Sequence, residues 1–77
     1  MLKIVIIERE PFTLLGIKTA ISPAPDIEVS GEATCGEIGL KLVEETKLDV
    51  VVVDLLLPDM SGLELLAQSK IKLIVKY

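Results

Sequence analysis

Residues 51–58 read Val-Val-Val-Asp-Leu-Leu-Leu-Pro, a run of aliphatic side chains that a single carboxylate, Asp54, interrupts. The residues just before Asp54 are continuously apolar instead of alternating, which is typical of a central parallel strand covered on both faces, here residues 49–53. An ionised carboxylate inside such a run would cost several kcal/mol if it were buried without partners. The stretch therefore predicts a strand that ends at the surface, and a chemical use for Asp54.

The segment before this run has the pattern strand, helix, strand. Residues 2–7 are a short β-branched run, and Pro11 behind it suits the first turn of a helix over residues 11–21. After a proline-rich connection, residues 26–30 alternate polar and apolar side chains, which is the period of a strand with one exposed face. We therefore expect an edge strand there.

Two capping-box signatures predict the next two helices. Thr34 is followed three residues later by Glu37, and Ser61 by Glu64, the spacing at which two side chains at a helix start bond to each other's backbone. The predicted helices run to about residue 47 and about residue 70. The expected inner stripe of the first of them includes Ile38, Leu42 and Val43.

Residues 71–77 complete the pattern as a fourth strand, so strands and helices alternate along the whole chain. Such alternation is the signature of an α/β fold with a parallel sheet. Because no linker, repeat or low-complexity tract divides the sequence, we expect a single domain over residues 1–77.

The composition excludes several classes of function. The chain has 77 residues and a net charge of −4 with no basic cluster, so we expect neither nucleic acid nor an anionic membrane as a partner. It has no histidine and one cysteine, Cys35, which excludes an internal disulfide and a Cys/His zinc site. We interpret Cys35 as a small core residue. No apolar run suits a signal peptide or a membrane span, so we expect a cytoplasmic protein.

Two acidic positions should meet at one edge of the sheet. Glu8 follows the first strand and Asp54 the third, and the carboxyl ends of parallel strands form the crevice where such sheets bind ligands. Clustered carboxylates suit Mg²⁺, and a carboxylate held there can act as a nucleophile and become an aspartyl-phosphate. The alternative is that both acids only solvate strand ends, and the residue pattern leaves both interpretations open.

Two stretches of the sequence resemble the receiver domain of bacterial two-component response regulators. They are residues 54–62, Asp-Leu-Leu-Leu-Pro-Asp-Met-Ser-Gly, and residues 25–33, Pro-Asp-Ile-Glu-Val-Ser-Gly-Glu-Ala. The likeness extends over residues 1–77 and is strongest to the branch that carries a helix-turn-helix output domain. It implies a partial flavodoxin-like (receiver) α/β fold, with three helices and a parallel sheet of four strands in the order 2-1-3-4.

The resemblance also implies roles for individual residues. Asp54 falls on the phospho-acceptor position. The positions that hold Mg²⁺ in the family are occupied here by Glu8, Asp54 and the backbone carbonyl of Leu56. Pro58 and Gly62 fall on the positions that shape the loop into the third helix.

One departure from the family lies beside these residues. The family places an acid pair after the first strand, whereas this chain has Glu8 at the first position and Arg9 at the second. A guanidinium has a permanent positive charge and no lone pair to offer a metal, so Arg9 weakens the implied Mg²⁺ site. We expect Arg9 to pair with Asp54 and hold it in a phosphate-independent state; the alternative is an Arg9 that points to solvent.

The second departure is length, because the family continues beyond the fourth strand with two further strand–helix units. The lysine that contacts an aspartyl-phosphate in the family has no counterpart here. We therefore predict a truncated receiver domain with a bare fourth strand and an uncovered apolar first helix, which includes Ile17 and Ile21. Such surfaces predict a homodimer, formed by pairing fourth strands or by exchanging terminal segments. The alternative is an unstable remnant or an excised fragment.

Two functions follow from these expectations. The first is an atrophied pseudo-receiver that acts as a protein-interaction and signalling module, with impaired or absent phosphorylation. The second is a stand-alone receiver that takes a phosphoryl group on Asp54 from a histidine kinase or a small phosphodonor. We expect no enzymatic activity other than, in the second case, weak autophosphorylation of Asp54.

Overall fold

Strands and helices alternate along the chain as the sequence pattern predicts. The computed structural model describes residues 1–69 and the backbone of residues 73–76. Its elements are β1 (Leu2–Ile7), α1 (Pro11–Ile21), β2 (Ile27–Ala33), α2 (Gly36–Glu45), β3 (Val50–Val53), α3 (Gly62–Gln68) and β4 (Leu73–Lys76). The predicted fourth strand is present over Leu73–Lys76, and its remaining positions lie outside the described residues.

All strand pairs in the described sheet are parallel, and the strand order is β2-β1-β3-β4. This confirms the predicted order 2-1-3-4 and places the predicted edge strand, β2, on the outside. Ile7 at the end of β1 lies opposite Ala33 of β2 and Val53 of β3. Because these last residues are in register, the segments that follow β1 and β3 emerge side by side at the carboxyl edge of the sheet.

Strand β2 is longer than its alternating pattern predicts and continues to Ala33. The pairing shifts between Ile4 and Val5, where Val29 is followed by Gly31 and Ser30 is the extra residue. Such a bulge ends the period-2 alternation, although the ladder resumes beyond it. The prediction therefore stopped at residue 30 because the local pattern changes there, while the pairing with β1 does not end.

The core is divided by the sheet into two unequal halves. The α2 and α3 side contains the larger cluster, whose buried members are Val5, Ile7, Ala33, Val43, Val51, Val53, Leu57 and Leu65. On the α1 side, three of the described residues are buried, Ile4, Ile6 and Leu14. Val50 and Val52 of β3 face this thinner side and are half-buried. Among the described residues, the prediction that β3 is covered on both faces therefore holds on the α2 and α3 side and only in part on the α1 side.

The predicted Thr34–Glu37 capping box is wrong. Helix α2 begins at Gly36, its N-cap residue is Cys35, and no side-chain hydrogen bond comes from that cap. Cys35 is half-buried. The helix ends at Glu45 and turns buried positions at Gly36, Gly39 and Val43 toward the sheet. Of the predicted inner stripe, Val43 is buried and Leu42 packs against the core. Ile38 is exposed, because at 3.6 residues per turn it lies on nearly the opposite side of the helix from the buried Gly36.

The Ser61 cap of α3 is confirmed, since its hydroxyl accepts a hydrogen bond from the Glu64 N–H at 3.1 Å. Helix α3 ends at Gln68, and the predicted end near residue 70 lies outside the described residues. In the part of the chain that the structure describes, no helix has the length and apolar character needed to cross a membrane.

Candidate functional site

The two predicted acids do meet at the carboxyl edge of the sheet. Glu8 follows β1, and its N–H donates to the Ala33 carbonyl at 2.9 Å. Asp54 follows β3, and its N–H donates to the Ile7 carbonyl at 2.8 Å. These bonds extend the parallel ladder by one residue, so the two side chains leave neighbouring strands at the same level. Both residues are buried, Glu8 with 3% and Asp54 with 9% of its surface exposed.

The two carboxylate oxygens of Asp54 have different partners. Oδ1 accepts a hydrogen bond from the Leu56 N–H at 2.9 Å. Oδ2 lies 3.7 Å from Nε of Arg9, an ion pair that is too long for a hydrogen bond. The Arg9 side chain is 58% exposed and that of Asp54 12% exposed. Arg9 therefore lies over the solvent side of the carboxylate and contributes positive charge without a directed bond.

The Glu8 carboxylate supports the turn into α1. Its Oε2 accepts from the Glu10 N–H at 2.7 Å. Glu10 is in turn the N-cap of α1, and its Oε1 accepts from the Phe12 N–H at 2.6 Å. Sequence reasoning placed the helix start at Pro11 but missed Glu10, although a carboxylate directly before an N-terminal proline was an available signal. The two glutamates together set the path of the segment that carries Arg9.

The predicted Mg²⁺ ligands, Glu8, Asp54 and the Leu56 carbonyl, are not arranged as a metal site in this structure. One oxygen of Asp54 accepts a backbone hydrogen bond, and the other lies beside a guanidinium, which carries positive charge and cannot ligate a metal. Among the described residues, no three Asp, Glu, Cys or His side chains converge in a way that could hold a metal ion. Leu56 contributes its N–H to the site, and the role of its carbonyl as a ligand stays a prediction.

The loop between β3 and α3 is folded tightly onto Asp54. Leu56 and Ser61 form an isolated antiparallel bridge across it, and the Gly62 N–H donates to the Leu55 carbonyl at 2.9 Å. Gly62 has no space for a side chain, because a Cβ there would overlap the backbone oxygen of Asp54. Pro58 lies exposed in the same loop. The loop is therefore bonded within itself and packed directly against the backbone of Asp54.

Asp59 is a residue of this loop that sequence reasoning missed. Its Oδ1 accepts from the Gly36 N–H at 2.6 Å and its Oδ2 from the Glu37 N–H at 2.9 Å, so it caps α2 from a distant part of the chain. The hydrogen bond from the Gly36 N–H, followed by that from Glu37, holds the pKa of Asp59 below its ordinary value of 3.8. No local pattern could reveal this contact, because it depends on how the loop and α2 pack.

Comparisons with known proteins agree with this architecture. The family described as the response regulator receiver domain matches residues 4–72. The nitrate/nitrite response regulator protein NarL of Escherichia coli K12 is 44% identical over 69 residues, which cover 90% of this chain and 32% of NarL. Response regulator GacA of Pseudomonas aeruginosa is 35% identical over 80 residues, which cover 97% of this chain and 37% of GacA. The chain thus spans about a third of the length of these relatives.

Solved structures show the same fold. The response regulator domain of Thermotoga maritima CheB has a TM-score of 0.88 at 23% identity, covering 99% of this chain and 59% of that one. The receiver domain of NarL from Mycobacterium tuberculosis has a TM-score of 0.84 at 22% identity, covering 97% of this chain and 65% of that one. These solved structures support the fold, and the sequence matches establish the family. The chain belongs to the response regulator receiver domain family and is related to response regulators of the NarL type.

Proposed function

We propose that this chain is a pseudo-receiver: a cytoplasmic protein-interaction module of two-component signalling in which phosphorylation of Asp54 is impaired. The observation that carries the proposal is the ion pair between Arg9 Nε and Asp54 Oδ2 at 3.7 Å. By its resemblance to the family, Arg9 occupies the position at which the family has the second residue of an acid pair. A guanidinium there places positive charge beside the acceptor carboxylate but has no lone pair with which to hold the Mg²⁺ that would bind the phosphoryl donor.

The Arg9–Asp54 pair acts on the chemistry of the site more than on the stability of the fold. More than half of the Arg9 side chain is exposed, and ion pairs of this kind contribute about 0–1 kcal/mol. A guanidinium carries positive charge and has no lone pair for a metal. The Arg9 guanidinium therefore opposes the approach of a divalent cation toward Glu8 and Asp54.

We also propose that the module works as a homodimer. The α1 side of the sheet supports this, because Val50 and Val52 are only half-buried there and α1 leaves Phe12 and Leu15 exposed. Apolar surface of this kind is a site of association. Strand β4 is the other outer strand of the described sheet, so pairing of β4 edges and exchange of terminal segments remain the two dimer modes to distinguish.

The alternative function is phosphoryl acceptance on Asp54 from a histidine kinase or a small phosphodonor. Its support is the loop geometry, since the Leu56 N–H still orients Asp54 and Gly62 still packs on its carbonyl. In this alternative Arg9 swings away from Asp54, which its exposure permits. Neither function involves turnover of a separate substrate, apart from weak autophosphorylation in the second.

The deciding experiment is intact-protein mass after incubation with acetyl phosphate and Mg²⁺, with Asp54→Asn as the control. The pseudo-receiver predicts no added phosphoryl group on protein that circular dichroism shows to be folded. One phosphoryl group that is lost in the control would establish the alternative.

A matched variant, Arg9→Asp, restores an acid at the position that the family occupies with one. It should gain Mg²⁺ affinity and phosphorylation of Asp54 by at least about tenfold over the wild type, which corresponds to about 1.4 kcal/mol. Arg9→Ala separates the two effects, because it removes the cation without supplying a ligand. If neither variant is phosphorylated, Arg9 is not what blocks the reaction.

A further inference from the structure

The contact between Asp59 and α2 joins two segments that the sequence separates by more than twenty residues. The Asp59 side chain takes the place of an N-cap residue, because Cys35 makes no side-chain cap bond. Each of its two carboxylate oxygens receives one backbone N–H of the first turn of α2. The side chain is therefore held at both oxygens, although the residue lies at the surface.

A second contact joins the same two segments. Met60 packs against Gly36, where an added Cβ would overlap the Met60 Cγ and would lie 2.6 Å from its Sδ. Met60 also packs against the larger core cluster. Two consecutive loop residues thus fasten the loop to the start of α2, one by hydrogen bonds and the other by packing.

The other end of the loop is fastened to Asp54. The bridge between Leu56 and Ser61 makes the loop a closed unit, and the Leu56 N–H is the donor that orients Asp54 Oδ1. A displacement of Asp59 therefore passes through a short, internally bonded loop to the hydrogen bond that sets the direction of the acceptor carboxylate.

From this geometry we propose that Asp59 is a positioning residue that couples the N-terminus of α2 to the Asp54 carboxylate. The orientation of the Asp54 carboxylate and the attachment of the α2 N-terminus to the loop then change together. The coupling free energy between the two sites is the same in both directions, so binding at α2 affects Asp54 as strongly as a change at Asp54 affects binding at α2. The inference deepens the proposed function and depends on Asp54 as the group that the site presents. It does not depend on whether Asp54 is phosphorylated.

The test is amide hydrogen exchange by NMR on the folded chain, without phosphodonor or partner. In Asp59→Ala, exchange should accelerate at Gly36 and Glu37 and also, by about tenfold, at the Leu56 N–H, which donates to Asp54 and not to Asp59. Asp59→Asn keeps one of the two acceptor oxygens, so its Leu56 exchange should be faster than in the wild type but slower than in Asp59→Ala. Glu37→Ala removes a negative charge from the same turn of α2 and should leave Leu56 unchanged.

An unchanged Leu56 N–H in Asp59→Ala, with faster exchange only at Gly36 and Glu37, would reduce Asp59 to a helix cap and overturn the proposal. Should Asp59→Ala fail to fold, the reverse direction decides. Asp54→Asn must then shift the amide resonances of Gly36 and Glu37, and the proposal is wrong if it does not. These measurements require neither phosphorylation nor a dimer. The proposed role of Asp59 can therefore be refuted while the proposed function stands, and the proposed function can be refuted while the role of Asp59 stands.

Discussion

At the scale of single residues, the carboxyl edge of the sheet contains carboxylates in three different situations. Glu8 is buried and bonded to the backbone of the turn that follows it. Asp54 is buried between a backbone donor and a guanidinium. Asp59 is exposed but held by two backbone donors of α2. Burial alone therefore does not indicate which acid is committed to structure, since the exposed one is bonded through both of its oxygens.

The lowered pKa of Asp59 predicts an acid-dependent loss of stability. Its folded pKa is below 3.8, so the unfolded chain binds the proton first as the pH falls. The stabilisation by the ionised carboxylate is complete above that ordinary value and is lost as the pH falls through the lower folded pKa. In thermal melts between about pH 6 and pH 2, the melting temperature of the wild type should exceed that of Asp59→Asn, and this difference should disappear as the pH falls below about 4.

The two proteins differ at residue 59 alone, so other effects of acid cancel in this comparison. A difference between wild type and Asp59→Asn that stays constant through the acid range would show that the charge of Asp59 contributes nothing to its bonds with α2.

At the scale of elements, glycines and caps determine how the helices attach to the sheet. Gly39 of α2 lies against Ile7 of β1, so that helix and strand approach more closely than a side chain would permit. Gly16 of α1 has open space around it. The same residue type thus has a packing role in one helix and none in the other.

Substitution of these two glycines should have opposite effects. In Gly39→Ala the new Cβ would lie 2.7 Å from Ile7 Cδ1 and 2.9 Å from its Cγ1, and such overpacking costs about 1–3 kcal/mol. Gly16→Ala should stabilise the chain by about 0.5–1 kcal/mol, because alanine restricts the unfolded chain and suits a helix. Urea unfolding measures both. A destabilised Gly16→Ala would mean that something covers that face of α1.

The two predicted caps make a second matched pair. Ser61→Ala removes the bond to the Glu64 N–H and should cost about 0.5–2 kcal/mol. Thr34 is exposed and does not cap α2, so Thr34→Ala should change the free energy of unfolding by less than about 0.5 kcal/mol. Equal losses in the two variants would restore Thr34 as a cap.

At the scale of the whole molecule, the two sides of the sheet differ in how completely the described residues are buried. The α2 and α3 side buries Val51 and Val53 completely, whereas the α1 side leaves the neighbouring valines of the same strand half-buried. Burying an aliphatic side chain fully contributes about 1.5–3 kcal/mol, so covering the α1 side would add materially to stability. This is the physical basis for the proposed dimer.

If the dimer forms through the α1 side, Leu15→Lys should weaken it at least about tenfold, which corresponds to about 1.4 kcal/mol. Ile38→Lys is the matched control, because Ile38 is 51% exposed on α2 and Leu15 is 54% exposed on α1. Sedimentation equilibrium over a range of concentrations measures the dimer dissociation constants of the wild type and both variants. A monomer in the wild type at micromolar concentration would refute the homodimer, and a loss in Ile38→Lys alone would place the interface at α2.

The sequence by itself determined the alternation of elements, the parallel sheet and the meeting of Glu8 with Asp54. Each of these follows from hydrophobic period and from the position of polar residues at strand ends, which act within a few residues. Only the tertiary structure decided that Asp59 caps α2 in place of Thr34, that β2 passes a bulge, and that β3 is buried more completely on its α2 and α3 side than on its α1 side. Those features depend on register and packing between segments far apart in the chain, where a local pattern carries no information.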